Sequence, residues 1–188
     1  VLCDTYNTKT DSHSSFFEAN KIFEKYNSDL PMFGLEQEFF MYDFNNNIPE
    51  LSNNLRGKYY CGNGVQSSRT RNYLLEVMYL CINLGINLTG MNYEVAPGQA
   101  EFQVCNTGID VCHDLLMLRY ILTRVGETNN IIPNFEPKPV ENENGSGCHI
   151  NFSTISMRNE TNNQNLMKVM EEMCKKLKKS HEHFINNV

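Results

Sequence analysis

Two short stretches carry glutamates at spacings that ask for a positive partner. Residues 92–102 read NYEVAPGQAEF, with Glu94 and Glu101 on either side of Pro97-Gly98. A two-residue loop there sets Ala96 against Gln99, Val95 against Ala100 and Glu94 against Glu101. Like charges directly opposite each other destabilise a strand pair, so either the loop is wider or a cation lies between them. Proline at the first central position suits type I or II turns rather than the primed turns of tight hairpins. Both readings stay open. Residues 35–39, LEQEF, supply a second pair. In a strand Glu36 and Glu38 share one face and Gln37 takes the other. An isolated pair of this kind most often marks a solvated face. Here the flanks are Phe33, Leu35, Phe39 and Phe40, and carboxylates on a buried strand need partners.

Carboxylate oxygens suit Mg²⁺ and Mn²⁺, and paired divalent ions clamp a phosphoryl group in transit. The stretch ENENGSGCHINFS at 141–153 adds to this. Its NGSG turn lets backbone N–H groups approach a ligand closely. His149, Asn151 and Ser153 then fall on one strand face. A lone histidine is more often structural, but beside an acidic cluster His149 becomes a candidate nitrogen ligand. Lys138, in PKP just upstream, reads equally well as an ordinary turn lysine. The cluster implies metal-assisted phosphoryl chemistry and leaves the substrate open.

These residues need a sheet to present them. The 188 residues, 40% hydrophobic, are enough for one domain with a real core. A helix is expected over 14–26, with Phe16, Ala19, Ile22/Phe23 and Tyr26 on its inner face. An aromatic strand follows at 32–42, then a polar loop at 43–57. A helix over 69–84 stops at Gly85. Hairpin strands are expected at 86–96 and 100–106. A helix from Asp110 to about Glu127 turns Leu115, Leu118/Tyr120, Leu122 and Val125 inward. Strands near 131–136 and 148–153 precede an amphipathic helix at 164–184. Antiparallel strands with helices on one side make an α+β fold, its sheet lined with acidic residues.

A net charge of −6 and a pI near 5.4 exclude the basic footprint of a nucleic-acid binder. Seven cysteines, at 3, 61, 81, 105, 112, 148 and 174, form no CxxC pair. This spacing points to free thiols in a reducing compartment, hence a cytoplasmic protein. No apolar run approaches the length of a membrane span and no signal peptide is visible. The start at VLCD reads as a cut inside a strand, and the end just past a helix as another, so a fragment is expected.

Five motifs in order resemble glutamine synthetase of the eukaryotic type. FGLEQEF resembles that family's FGxEQEx strand, YYCGNG its YYCGxG loop and NYEVAPGQAEFQV its NxEVxPxQxEFQ hairpin. NFEPKP and NGSGCHINFST resemble its phosphate-lysine and glutamate-loop segments. The resemblance implies that Glu38, Glu94 and Glu101 bind one metal, and that Glu36 and His149 bind a second. It implies that Asn144, Gly145 and Gly147 lie in the loop that receives glutamate. Glu101, Phe102, Gln103, Val104, Cys105 and Asn106, with Asn151, Phe152 and Ser153, would line the ATP site. The implied reaction ligates ammonia to L-glutamate with ATP, through a γ-glutamyl phosphate, using Mg²⁺ or Mn²⁺. The implied full-length assembly is a decamer-like double ring, with no nucleic-acid or membrane partner.

The chain departs from the family pattern at Met32, where a tryptophan is usual. Gln66-Ser67 replaces an Asp-Arg pair, although Arg71 keeps its place, and Glu143 replaces another tryptophan. By the same resemblance, residues 1–188 are a partial catalytic domain. The small N-terminal β-grasp domain, the phosphate- and glutamate-binding arginines, the flap carboxylate and one further metal glutamate fall outside it. A related γ-glutamyl ligase acting on a larger amine, a non-catalytic homologue and an inactive fragment remain alternatives. A generic metal-binding module leaves the ordered motifs unexplained.

Overall fold

The computed structural model describes residues 2–48, 58–64 and 70–186. Its centre is one strand, β3 (Met32–Tyr42), placed third after a two-residue hairpin, β1 (Tyr6–Asn7) and β2 (Ser12–His13). β5 (Gln99–Thr107) pairs antiparallel with β3 along one edge, and β4 (Leu88–Tyr93) pairs with β5. The other edge of β3 is divided: β7 (Cys148–Ser153) takes its first half and β6 (Ile132–Asn134) its last three residues. The sheet is therefore antiparallel throughout, in the order β4-β5-β3, with β6 and β7 sharing the outer edge.

Alternation along β3 separates two chemistries. Leu35, Phe39 and Met41 point into the main core, and Gln37 on the same face is only 2% exposed. The helices α2 (Arg71–Asn83) and α3 (Asp110–Asn129) cover that face with Leu74, Val77, Leu118 and Leu122. Each large apolar side chain buried there contributes about 1.5–3 kcal/mol. The opposite face carries Glu36, Glu38 and then Phe40, which packs with Ile48 and Ala96 in a second, smaller cluster. The core thus sits on one side of the sheet and the acids on the other.

The hairpin between β4 and β5 corrects the tight-loop expectation. Gln99 N–H donates to the Ala96 carbonyl at 3.0 Å, and Gly98 has φ +87°. Proline then glycine with positive φ at the two central positions is the type II pattern. The ladder closes only at Tyr93 opposite Ala100 and Asn92 opposite Glu101. Glu94 stands beyond the end of β4, where its N–H donates to the Gln99 carbonyl at 2.9 Å. The register is two residues away from the expected one, and the partner directly opposite Glu101 on β3 is Glu38.

The expected helices are present, with α1 at Ser15–Lys25 and α5 at Asn163–Ile185. Gly85 with φ +77° follows α2, in the left-handed region where a side chain is disfavoured. Several expected details differ. Ile22 of α1 and Tyr26 just past its end are exposed, because the helix leans on the sheet through Phe23, whose ring meets Phe33 edge-on at 5.7 Å. Leu118, Leu122 and Val125 of α3 face inward as expected, but Tyr120 is exposed and Ile121 is buried in its stead. Residues 2–5 lie outside any strand. The β1–β2 hairpin and the short helix α4 (Ile155–Asn159), capped by Thr154, were not expected. The expected loop at 43–57 falls partly outside the described residues.

Candidate metal centre

Strand register brings the acids together. β5 sets Glu101 opposite Glu38, and β7 sets His149 opposite Glu36. Ligand atoms of Glu38, Glu94 and Glu101 all lie within 4.8 Å of one another, and so do those of Glu36, Glu101 and His149. Glu101 belongs to both groups and is only 5% exposed.

Neutral donors orient each carboxylate. Gly147 N–H donates to Glu38 Oε2 at 2.8 Å. Asn92 Nδ2 donates to Glu94 Oε1 at 2.9 Å, and Val95 N–H to Glu94 Oε2 at 3.2 Å. Gln103 Nε2 donates to Glu101 Oε1 at 2.7 Å, and Asn151 Nδ2 to Glu36 Oε1 at 2.6 Å. His149 Nδ1 lies 3.4 Å from Glu36 Oε2. Among the described residues no lysine or arginine forms an ion pair with any of the four glutamates.

Burial lifts the Glu101 carboxyl above its ordinary range. The Gln103 hydrogen bond opposes this, while the charges of Glu94, Glu36 and Glu38 add to it. The negative field reaches the YYCGNG loop. The exposed Tyr60 phenol is raised, first by Cys61 and next by Glu94. That loop is anchored to the core by Tyr59, whose ring packs 4.6 Å from Tyr93. Arg71 fixes it further by donating to the Gly62 carbonyl at 2.9 Å.

Converging, pre-oriented carboxylates and one imidazole, without a cationic side chain among them, suit a hard divalent cation. Two oxygens bound to one ion at about 2.1 Å lie no more than about 4.2 Å apart. Small side-chain rotations would close either group to that spacing. The residues fit divalent metal.

A cleft of about 440 Å³ adjoins the cluster between β3, β5 and β7. Of the residues assigned to ATP by resemblance, Gln103, Val104, Cys105, Asn151, Phe152 and Ser153 border it, and Met32 lines it too. Phe102 does not, because it is fully buried in the helix-covered core. Asn106 is also absent from the lining, and its side-chain amide is bonded to Asp114 at 2.9 Å. Asn144 and Gly145 sit in an exposed loop, while Gly147 touches Glu38 directly. Lys138 donates to the Glu143 carbonyl, as a turn lysine would. Gln66 and Ser67 lie outside the described residues.

Residues 19–186 match the family described as Glutamine synthetase, catalytic domain. The chain belongs to the glutamine synthetase family. It is 40% identical to the glutamine synthetase of Hebeloma cylindrosporum over 195 residues, 98% of this chain and 53% of that protein. It is 36% identical to "Glutamine synthetase 1, mitochondrial" of Drosophila melanogaster, across 98% of this chain and 47% of that protein. A protein of Acanthamoeba polyphaga mimivirus with a provisional glutamine synthetase name is 41% identical across 97% of this chain and 53% of its own length. The chain therefore spans about half the length of the glutamine synthetase relatives it matches.

Sequence reasoning passed over Asn92 and Gln99, left Gln37 without a role and gave Gln103 and Asn151 to the nucleotide. Asn92, Gln103 and Asn151 each hold one of the carboxylates, and Gln37 and Gln99 are buried. Asn92 and Gln103 share strand parity with acids already singled out, which was the available signal. Gly90 is another residue passed over. A Cβ there would stand 2.5 Å from Gln103 Oε1, so the glycine leaves room for the amide that holds Glu101.

Proposed function

We propose that this chain is the metal- and nucleotide-binding part of a glutamate–ammonia ligase catalytic domain. The reaction phosphorylates the γ-carboxylate of L-glutamate with ATP and then displaces phosphate with ammonia. The observation that carries this reading is the convergence of Glu36, Glu38, Glu94, Glu101 and His149 in a chain of this family. Glu38, Glu94 and Glu101 would hold one Mg²⁺ or Mn²⁺, and Glu36, His149 and a share of Glu101 the other. Bound metal would offset the charge that gathers during phosphoryl transfer and orient the transferring group.

The remaining roles belong to the chain's own groups. The cleft walls, with Phe152 and Met32, give an adenine ring an apolar surface, and Asn151 and Ser153 add polar contacts beside it. The backbone of 144–147 would receive glutamate next to Glu38. A double-ring homo-oligomer and a cytoplasmic location complete the proposal. The location is supported by seven free cysteines.

Mn²⁺ titration followed by electron paramagnetic resonance tests the centre. Two saturable sites are expected, one weakened by Glu94→Gln and the other by His149→Ala. Absence of saturable Mn²⁺ binding would overturn the reading. Incubation with glutamate, ATP and hydroxylamine tests the ligase chemistry through γ-glutamyl hydroxamate. A full-length relative carrying this segment supplies the positive control.

A further inference from the structure

We propose that Gln37 and Gln99 are positioning residues. Their buried amides clamp the backbone of residues 145–147 and, through Gly147, hold the Glu38 carboxylate toward Glu94 and Glu101. The inference rests on the metal-centre reading above.

Gln99 is 1% exposed and Gln37 is 2% exposed, and in the β3–β5 ladder they stand opposite Phe40 and Phe102. Gln99 Nε2 donates to the Gly145 carbonyl at 2.9 Å and to Ser146 Oγ at 3.1 Å. Gln37 Nε2 donates to the Glu38 carbonyl at 2.7 Å and to the Gly147 carbonyl at 3.3 Å. Its own oxygen accepts from Arg119 Nε at 2.8 Å, which fixes the direction of the amide. The loop end is thus tied to β5 at Gly145–Ser146 and to β3 at Gly147. Gly147 meets Glu38 with both backbone groups: its carbonyl accepts from Glu38 N–H at 3.0 Å, and its N–H holds Glu38 Oε2 at 2.8 Å.

Stability alone does not account for Gln99. Its Oε1 is buried without a hydrogen-bond partner among the described residues, which is unfavourable for a polar atom. A methionine or leucine would fill the same space without an orphaned oxygen. What an apolar side chain cannot do is hold the loop by its carbonyl. The two amides therefore link the loop that would receive glutamate to a carboxylate that would hold metal. Groups that orient a metal ligand typically change affinity 10- to 100-fold when removed.

Two substitutions test this in the 188-residue chain. Gln99→Met keeps the volume and deletes the donors. Gln37→Glu keeps the acceptor for Arg119 and deletes the donor to Gly147. Each is placed in a His149→Ala background, which leaves the Glu38–Glu94–Glu101 site, and in a Glu94→Gln background, which leaves the Glu36–Glu101–His149 site. Mn²⁺ affinity is read by electron paramagnetic resonance, with folding checked by circular dichroism. Expected is a loss of about tenfold or more at the Glu38 site and less than about twofold at the His149 site. Equal losses at both sites indicate a merely structural role and overturn the proposal, as does no loss at either. If the His149→Ala chain binds no Mn²⁺ before any glutamine is changed, the metal-centre reading itself falls, and this inference with it. Should Gln99→Met fail to fold, Gln37→Glu carries the same comparison.

Discussion

Glu101→Gln should make the metal-free protein more stable and the metal-loaded protein less so. Its carboxylate lies within 4.8 Å of ligand atoms of Glu38 and Glu94, and within the same distance of Glu36. At that separation each pair of unit charges repels by roughly 3.5 kcal/mol at an effective dielectric of 20, before solvent relaxes it. Glu36 and Glu38 are only partly buried, so most of this is screened. A gain of about 1–2 kcal/mol is expected for the substitution, or about 2–8 °C in Tm for a chain of this size. Glutamine keeps the shape and can still accept from Gln103, so packing should not mask the effect.

The pH dependence has a definite sign. Burial and neighbouring charge raise the Glu101 pKa above its ordinary value near 4.5. Its penalty is absent below that value, grows as pH rises through the raised pKa, and is complete above it. In chelator, the stability advantage of Glu101→Gln should therefore widen as pH rises from about 4.5 through the raised pKa. With Mn²⁺ at a hundredfold excess over Kd, the wild type should gain about 2.7 kcal/mol per site by linkage, and the variant distinctly less. Thermal melts of both proteins, with chelator and with Mn²⁺, give the comparison. A variant no more stable than wild type in chelator, together with an equal Mn²⁺ shift in both, would refute the reasoning.

Three further outcomes are expected. Gly126→Ala should destabilise despite alanine's better helix propensity, because a Cβ would stand 2.2 Å from the Ile131 carbonyl oxygen; denaturant unfolding should show a loss of about 1–3 kcal/mol. Gly90→Ala meets only the flexible tip of Gln103, so a stability change under about 1 kcal/mol is expected, with Mn²⁺ binding weakened because Gln103 must leave Glu101. Burial pushes the Cys81 thiol up to about 11, so alkylation near pH 8 should label the exposed Cys3, Cys61 and Cys174 first. All seven should label after denaturation without reductant, as read by mass spectrometry.

Most elements were legible because their signals are local. β3 shows alternation with aromatic enrichment, α2 and α3 carry helical spacing, and Gly85 stops a helix by its positive φ. The β1–β2 hairpin and α4 have too few residues to establish a period. The inner face expected for α1 holds at the half-buried Phe16, Ala19 and Phe23 and fails at Ile22 and Tyr26, because no residue of that helix is fully buried and hydrophobic spacing there does not report a single packed stripe. Phe102 and Asn106 were carried over with their motif as a block. Strand alternation turns Phe102 to the core, and Asn106 is occupied by Asp114.

The acid cluster was legible even though its register was not. Side chains on a strand repeat every two residues, so a slip of two keeps every one of them on its face, whereas a slip of one reverses them all. The type II turn at Pro97-Gly98 moved the pairing by two, leaving Glu101 on the acidic face while exchanging its directly opposed partners. What parity cannot reveal is the support behind that face. Gln37 was assigned correctly to the opposite side from Glu36 and Glu38, and for that reason dropped out of the site. Its amide nevertheless reaches the end of the 144–147 loop past the edge of β3, at Glu38, where pairing with β7 stops and pairing with β6 has not begun. That gap in the ladder, a consequence of one long strand serving two short neighbours, is where a residue of the core face touches the machinery of the other.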